Sequence, residues 1–356
     1  MPIRTVATIV GARPQFIKAA PVSRALAAGF KEIVIHTGQH YDYGMSEIFF
    51  TEMEMRPPDF NLGVGGGSHA EQTGKMLVEL ERIFNAVKPD CVLVFGDTNS
   101  TLAGALASAK AQIPLAHVEA GLRSFNRAMP EEINRVLTDH VSALLFCPTD
   151  AAVENLAKEG ITQGVHRVGD VMADALFFNL KLARAKSNII ELLGLAKGRY
   201  ALATVHRASN TDDADNMRSI LRAFGDMSSQ VVFPVHPRTR KMMNEWGISA
   251  GPNVLMTDPV GYFDMLVLQE NANCILTDSG GVQKEAYLVG VRCITLRQET
   301  EWVETVASGW NQLAGVQEKK IIDLFENWFP RGVRAPLYGD GHSAEQIFNI
   351  LSASLK

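Results

Sequence analysis

Short apolar, β-branched runs recur along the chain, each followed by a polar or glycine-bearing turn and then by a longer amphipathic stretch. Such runs lie at Thr5 to Val10, Glu32 to His36, Cys91 to Phe95, Leu115 to Val118 and Leu144 to Cys147. Parallel strands cannot be joined by tight hairpins, so a strand, long connection, strand rhythm predicts a parallel, doubly wound sheet. The rhythm restarts at Tyr200 to Val205, Val231 to Val235, Val254 to Thr257, Cys274 to Thr277 and Arg292 to Leu296, after a helical stretch from Val171 to Leu195. The chain is therefore expected to be an α/β protein of two Rossmann-like domains, spanning 1–170 and 171–341. A last helix near Ser343 to Leu355 is expected to pack back onto the first domain.

Length agrees with two domains, since 356 residues exceed what one core usually serves. A formal charge of −5 without a long basic run argues against nucleic acid as the main partner, and leaves room for a local basic pocket. Cys91, Cys147, Cys274 and Cys293 lie far apart in or beside apolar runs and form no C-x-x-C pattern, as expected of reduced, packed thiols. No run reaches membrane-spanning length, and Met1 to Val10 is too short for a leader. A cytoplasmic enzyme without membrane insertion is the expectation.

Ligands of open α/β sheets bind at the carboxyl ends of the strands. Those ends here carry Gly11-Ala-Arg-Pro14, Thr37-Gly-Gln-His40, Gly96-Asp-Thr-Asn-Ser100, Glu119-Ala-Gly-Leu-Arg123, His206-Arg207, His236-Pro-Arg238 and Asp278-Ser-Gly-Gly281. Their division between two halves predicts domains facing a cleft. Asp278-Ser-Gly-Gly281 follows a strand and opens a helix, so first-turn amides and a helix dipole could receive a phosphate there. A structural turn would use Ser279, Gly280 and Gly281 equally well. Gly63-Val-Gly-Gly-Gly-Ser68 lacks the spacing of a phosphate loop and reads as a flexible connection.

Three acids follow or approach strand ends in the first half. Asp97 could cap a helix, Glu119 follows Val118, and Glu131 stands behind Pro130 where the helix dipole alone would favour an acid. Facing one cleft, such carboxylates would raise one another's pKa and suit acid/base work. His206 and His236 hold equivalent strand-end positions in the second half, while Arg13 and Lys18 offer positive charge to an anion. The acids and histidines are too dispersed for a metal site, and no cofactor fingerprint follows any strand.

Taken together, Gly11-Ala-Arg-Pro14 with Lys18, Gly96-Asp-Thr98, His117-Val-Glu-Ala-Gly-Leu-Arg123, Pro130-Glu-Glu132 with Asn134-Arg135, His206-Arg207, His236-Pro237 and Asp278-Ser-Gly-Gly281 resemble the non-hydrolysing UDP-N-acetylglucosamine 2-epimerase family over nearly the whole chain. The resemblance implies a GT-B architecture, a homodimer, no cofactor, and inversion at C2 of a UDP-2-acetamido sugar through loss of UDP and its re-addition. It assigns Asp97, Glu119 and Glu131 to acid/base chemistry with His206 assisting, and leaves open which acid removes the C2 proton. Arg13, Lys18, Ser279, Gly280 and Gly281 would meet the sugar diphosphate with His236 beside it, and Glu285 the ribose. The loop bearing Pro259 and Tyr262 would border uracil, and Thr300 and Glu301 complete the implied binding set.

Three positions depart from the common N-acetylglucosamine form. Gln15 and Lys284 stand where that form has Glu, and Trp302 where it has Arg. A less negative pocket suits a more acidic sugar. With Met45 to Phe50, Arg123-Ser-Phe-Asn126 and Thr300-Glu-Trp-Val-Glu304, they resemble the subgroup acting on UDP-2,3-diacetamido-2,3-dideoxyglucuronate, a precursor of surface polysaccharide of the O-antigen, lipopolysaccharide type. Plain UDP-N-acetylglucosamine is the alternative substrate. A UDP-sugar glycosyltransferase or a UDP-sugar-binding regulator is the alternative of another class.

Overall fold

The computed structural model describes residues 3–38 and 56–355. Gln39-His40, Tyr41 to Gly44 and Met45 to Phe50, singled out in the sequence, lie outside the described residues. The chain divides into two compact units, Met1–Phe177 with Pro336–Lys356, and Phe178–Ala335. The division falls inside a helix rather than at residue 170, and the first unit regains the chain at residue 336 rather than 342.

In the first unit, β1 (Arg4–Val10), β2 (Phe30–His36), β3 (Phe60–Asn61), β4 (Cys91–Phe95), β5 (Leu115–Val118), β6 (Leu144–Cys147) and β7 (Val165–Arg167) form one parallel sheet in the order β3-β2-β1-β4-β5-β6-β7. Its helices are α1 (Arg13–Leu26), α2 (His69–Val87), α3 (Asn99–Lys110), α4 (Pro130–Val141), α5 (Asp150–Lys158) and the first half of α6 (Val171–Lys186). Alternate residues of β1 serve opposite faces. Val6 and Val10 join α1 and the C-terminal helix, whereas Ala7 and Ile9 join α2 and α3.

After the short α7 (Ile189–Leu192), the second unit builds a parallel sheet from β8 (Tyr200–Thr204), β9 (Gln230–Pro234), β10 (Val254–Thr257), β11 (Cys274–Thr277), β12 (Cys293–Thr295) and β13 (Asn311–Leu313), in the order β10-β9-β8-β11-β12-β13. Its helices are α8 (Ala208–Thr211), α9 (Ala214–Gly225), α10 (Pro237–Glu245), α11 (Tyr262–Asn271), α12 (Gly280–Val289), α13 (Val303–Ala307) and α14 (Glu318–Asn327). The last helix, α15 (Ser343–Ser354), returns to the first unit, where Ile347 and Leu351 are fully buried among Val6, Val22 and Leu26.

In both sheets the strand order reverses beside the first strand, between β1 and β4 and between β8 and β11. Neighbouring connections leave in opposite directions there and open a crevice at the strand ends. Of the edge strands, β3, β7 and β13 carry no apolar run, since an edge strand is held by one neighbour and need not be wholly apolar, whereas β10 keeps Val254 to Met256. All four cysteine thiols are free and buried, and burial pushes those of Cys91, Cys147 and Cys274 up to about 12. Among the described residues no helix is long and apolar enough to cross a membrane.

Beneath α1, the Glu32 carboxylate accepts hydrogen bonds from Thr8 Oγ1 (2.6 Å) and Ser23 Oγ (2.9 Å). Burial raises its pKa above the ordinary carboxylate value, against the opposing pull of the two hydroxyls and Arg56. Ionisation therefore costs the fold nothing below the unfolded-state pKa, and its full amount above the raised folded value. Both hydroxyls bond one oxygen, so Glu32→Gln can keep both bonds while removing the charge. The variant should melt higher than the parent at pH 8, with the gain vanishing below about pH 4. Equal melting temperatures across that range would refute this.

Candidate active site

At the switch point of the first unit, the turn after β1 passes so close to its neighbours that a side chain is excluded at Gly11. A Cβ there would lie 2.0 Å from Ser100 Oγ and 2.2 Å from Thr37 Oγ1. Gln15 fixes this turn. Its Oε1 accepts from the amides of Gly11 (2.8 Å) and Ala12 (3.1 Å), and its Nε2 donates to the Phe95 carbonyl (2.7 Å) and Thr101 Oγ1 (3.0 Å). With its amide spent on four internal partners and only 2% of the residue exposed, Gln15 presents nothing to a ligand. Its proposed influence on the sugar could act only through the turn, because a glutamate in this place could not donate to Phe95. Arg13 begins α1, and its side chain lies outside what is described.

Glu119 follows β5 with φ 70°, a left-handed conformation that costs a side-chain-bearing residue about 1–3 kcal/mol. It is buried and paired with Lys18 of α1. Burial works against the Lys18 charge, but Glu119, Asp170 and Asp97 outweigh it and hold the lysine pKa above its usual value. Gly96 lies against the pair, its Cβ direction 3.3 Å from Glu119 Oε2 and 3.7 Å from Lys18 Nζ. Asp97, next in sequence, pairs with Arg135 of α4, and its carbonyl accepts from Asn134 Nδ2 at 2.9 Å. Two of the three acids expected to crowd one another are thus paired with cations, because α1 brings Lys18 to Glu119 and α4 brings Arg135 to Asp97. Glu131 is exposed in the first turn of α4, one turn before Arg135. Its neighbour Glu132 is buried and ties down the preceding loop, accepting from the Ser124 and Phe125 amides.

Behind this corner a chain of paired side chains runs from the buried His117 out to the surface. His117 Nδ1 is 2.7 Å from Asp139 Oδ1, and its Nε2 is 2.8 Å from the Gly96 carbonyl. Asp139 Oδ2 accepts from the Gly121 amide (3.1 Å) and Arg123 (2.6 Å), and Arg123 also grips Glu159 through two 2.7 Å bonds. Burial alone would raise the Asp139 pKa; His117 and Arg123 reverse that and lower it. His117 and Arg123 stand in a motif read from the sequence, but Asp139 is far along the chain and carries no local signal. Asn99 stands in the Gly96 to Ser100 segment without an assigned role; it bonds Gln72 (3.0 Å) and contacts His69 and Asn134. Here the glycine-rich connection ends in a Ser68 cap that seats α2 against the switch point.

In the second unit the corresponding anchor is Asp278. Fully buried, it accepts from the amides of His206 (3.1 Å) and Arg207 (3.0 Å) and from Asn210 Nδ2 (3.0 Å). The loop after β8 is therefore stitched to the end of β11, with the His206 side chain left exposed, its Nδ1 3.7 Å from Asp278. Ser279 caps α12 in an extended conformation without a side-chain cap bond. A Cβ on Gly280 would lie 2.0 Å from Glu301 Oε1, so the glycine admits Glu301 against the helix start. Glu301 is held by Arg297 at 2.9 Å and approached by Arg207 at 3.7 Å.

Thr300 donates to the buried Gln283 (2.6 Å) and accepts from the Trp302 amide (3.0 Å), which fixes the loop over α12. Lys284, only 4% exposed, lies under Trp302 with Nζ 4.2 Å from the ring centroid. The two departures from the common form are thus one contact. Glu285 accepts from Gln269 Nε2 at 2.8 Å. His236 caps α10, its Nδ1 accepting from the Arg238 amide at 3.3 Å, while Pro259 and Tyr262 precede and open α11. Among the described residues no cluster of His, Cys, Asp or Glu could hold a metal ion.

Two Rossmann-type units, one with paired acids at its switch point and one with a glycine-opened helix start, define a two-domain nucleotide-sugar enzyme of GT-B-like architecture. Comparison with known proteins narrows the class. A family model described as UDP-N-acetylglucosamine 2-epimerase matches residues 24–352. The chain is 53% identical over 352 residues to a UDP-N-acetylglucosamine 2-epimerase homolog of Methanococcus maripaludis, covering 97% of this chain and 99% of the relative. It is 48% identical over 357 residues to the UDP-2,3-diacetamido-2,3-dideoxy-D-glucuronate 2-epimerase of Pseudomonas aeruginosa, covering 97% and 98%. The crystal structure of Methanocaldococcus jannaschii UDP-GlcNAc 2-epimerase in complex with UDP-GlcNAc and UDP superposes with a TM-score of 0.81 at 43% identity, over 98% and 99% of the two chains. The chain belongs to the UDP-N-acetylglucosamine 2-epimerase family, and is a non-hydrolysing isomerase acting as a UDP-sugar 2-epimerase.

Removing the second anchor should be costly. Asp278→Ala would leave the His206 and Arg207 amides and Asn210 without their acceptor, a loss of about 2–4 kcal/mol. Urea unfolding should show a lower midpoint, and limited proteolysis should show new cleavage near residues 206–212. An unchanged midpoint with no new cleavage would remove Asp278 from this role.

Proposed function

We propose that this enzyme inverts C2 of UDP-2,3-diacetamido-2,3-dideoxyglucuronate to give the mannuronate epimer, as a step in making a surface-polysaccharide precursor. Proton loss from C2 and cleavage of the C1–O bond leave a C1=C2 glycal and free UDP. UDP then re-forms the bond at C1 while C2 receives a proton on the opposite face. The C2–H bond is weakly acidic, so the charge developing on UDP must be neutralised as C1–O breaks. In this reading Asp97, Glu119 and Glu131 exchange the protons, with His206 assisting. The amides of Ser279, Gly280 and Gly281, with Arg13 and Lys18, hold the diphosphate beside His236. Glu285 takes the ribose, Pro259 and Tyr262 border uracil, and Thr300 and Glu301 shape the phosphate end. The observation that carries the acid/base assignment is Glu119, held in a left-handed corner by Lys18 beside Gly96 and Asp97.

The choice of a uronate is supported by the 48% identity to the P. aeruginosa enzyme and by Lys284, a cation buried in the second turn of α12 where the common form has an acid. UDP-N-acetylglucosamine is the second reading, favoured by the 53% identity to the M. maripaludis homolog. Side-by-side incubation of the two sugars in D2O, followed by NMR, decides between them. Deuterium at C2 and a new epimer are expected from the diacetamido-uronate, at a rate at least tenfold above UDP-N-acetylglucosamine. The reverse preference would overturn the substrate assignment, and exchange in neither would overturn the epimerase reading.

We further infer that the enzyme works as a homodimer. Phe125, Met129, Ile133, Leu137 and Val141 recur every four residues along α4 and its approach, all exposed and all apolar. Such a stripe is unusual on a free helix face, and it matches a self-complementary contact about a twofold axis. Ile133→Glu combined with Leu137→Glu should halve the mass measured by light scattering. An unchanged mass, or a monomeric parent protein, would remove α4 as the contact.

A further inference from the structure

We infer that His117, carried as an imidazolium between Gly96 and Asp139, is the positioning residue that aims Asp97. The inference rests on the reading of Asp97 and Glu119 as acid/base groups. Both ring nitrogens of His117 face acceptors, the Gly96 carbonyl at 2.8 Å and the Asp139 carboxylate at 2.7 Å. A carbonyl oxygen cannot donate, so Nε2 carries a proton. Asp139 is occupied on its other oxygen by a backbone amide and a guanidinium, which keep it ionised, so Nδ1 carries one too. The charges alternate from His117 through Asp139 and Arg123 to Glu159 at the surface, and this lets three buried side chains stay ionised together.

The geometry points to an effect on chemistry rather than on stability alone. Gly96 has φ 63°, and its carbonyl belongs to the peptide unit whose amide is that of Asp97. A proton from His117 on that carbonyl therefore fixes the peptide plane from which the Asp97 side chain departs. Asn134 fixes the next peptide through the Asp97 carbonyl. Asp139 also holds the amide of Gly121, two residues beyond Glu119, so the same carboxylate sets the turn that carries the second acid. Losing His117 would release the plane of Gly96 and let the acid wander, and misplacement by about 1 Å can cost roughly a hundredfold in rate.

The test uses His117→Phe and Asp139→Asn in the full chain, assayed with whichever UDP-sugar the parent epimerises. The expected result is a kcat at least tenfold lower for folded His117→Phe, with KM and UDP affinity within about threefold of the parent. A kcat within threefold of the parent would overturn the proposal, as would a loss confined to KM. Asp139→Asn covers the case in which His117→Phe does not fold, because it keeps the side-chain shape while withdrawing the charge that holds the second proton. The same kcat loss is expected of it, and unchanged kcat overturns the proposal. In the parent protein, 15N spectra of labelled histidine should show both nitrogens of one buried ring protonated, a signature that a neutral, merely packed ring would lack. Asp97→Asn separates the two levels of inference. If it retains C2 exchange, the acid/base reading fails; if it abolishes exchange while the His117 and Asp139 variants behave as the parent, only the positioning proposal fails.

Discussion

A buried carboxylate that accepts backbone amides is the interaction on which each half of this enzyme depends. In the first unit it is Asp139, and in the second Asp278. An ionised group out of water costs several kcal/mol unless every lone pair finds a donor, so the loops that supply those donors lose the freedom to move elsewhere. Asp139 gathers His117, Gly121 and Arg123, and the chain between them has little choice but to turn through the left-handed corner at Glu119. Asp278 gathers His206, Arg207 and Asn210, and so joins two strand ends that flank a switch point. Neither aspartate need touch a ligand for the site to depend on it.

The interior parallel strands were legible because most are buried on both faces over an apolar run of three or more residues. The edge strands β3, β7 and β13 were not, because each has only two or three residues and pairs on one side, whereas the longer edge strand β10 keeps an apolar run and was read. Much the same distinction holds at the site. Strand-end residues such as Asp97, Glu119 and Ser279 are visible because strand ends are visible. The side chains that hold this region come from helices or distant loops, Arg135 on Asp97, Asp139 on His117 and Asn210 on Asp278, and a single sequence carries no record of which helix face meets which strand end. Gln15 shows the converse: its departure from the common form was plain in the sequence, but its inward direction was not, since the pattern Arg-Pro-x-Phe does not say that the third residue bonds Phe95.

Lys284 and Trp302 change together in physical terms. Read as separate charges, they shift the expected pocket in opposite directions and by unequal amounts. Read as a lysine beneath an indole, they form one stacked unit, in which the ring shields the ammonium from water while leaving its field intact. An acid and an arginine at the same two positions would carry opposite charges that nearly cancel. An ion pair and a cation–π pair hold a loop comparably, but only the second leaves a net positive charge near the helix start.

The second unit occupies one unbroken stretch of chain, whereas the first needs both residues up to 177 and the segment from 336 onward. On the ribosome these portions emerge in order. The second unit can therefore close its core while the first still lacks α15, whose Ile347 and Leu351 fill space beside Val6, Val22 and Leu26. The half that begins the sequence is thus the half that finishes folding, and until it does so the face of α1 meant for α15 stays wet. A nascent chain halted near residue 335 would carry a complete second unit and an unfinished first one, an apolar surface that chaperones would meet before any substrate does.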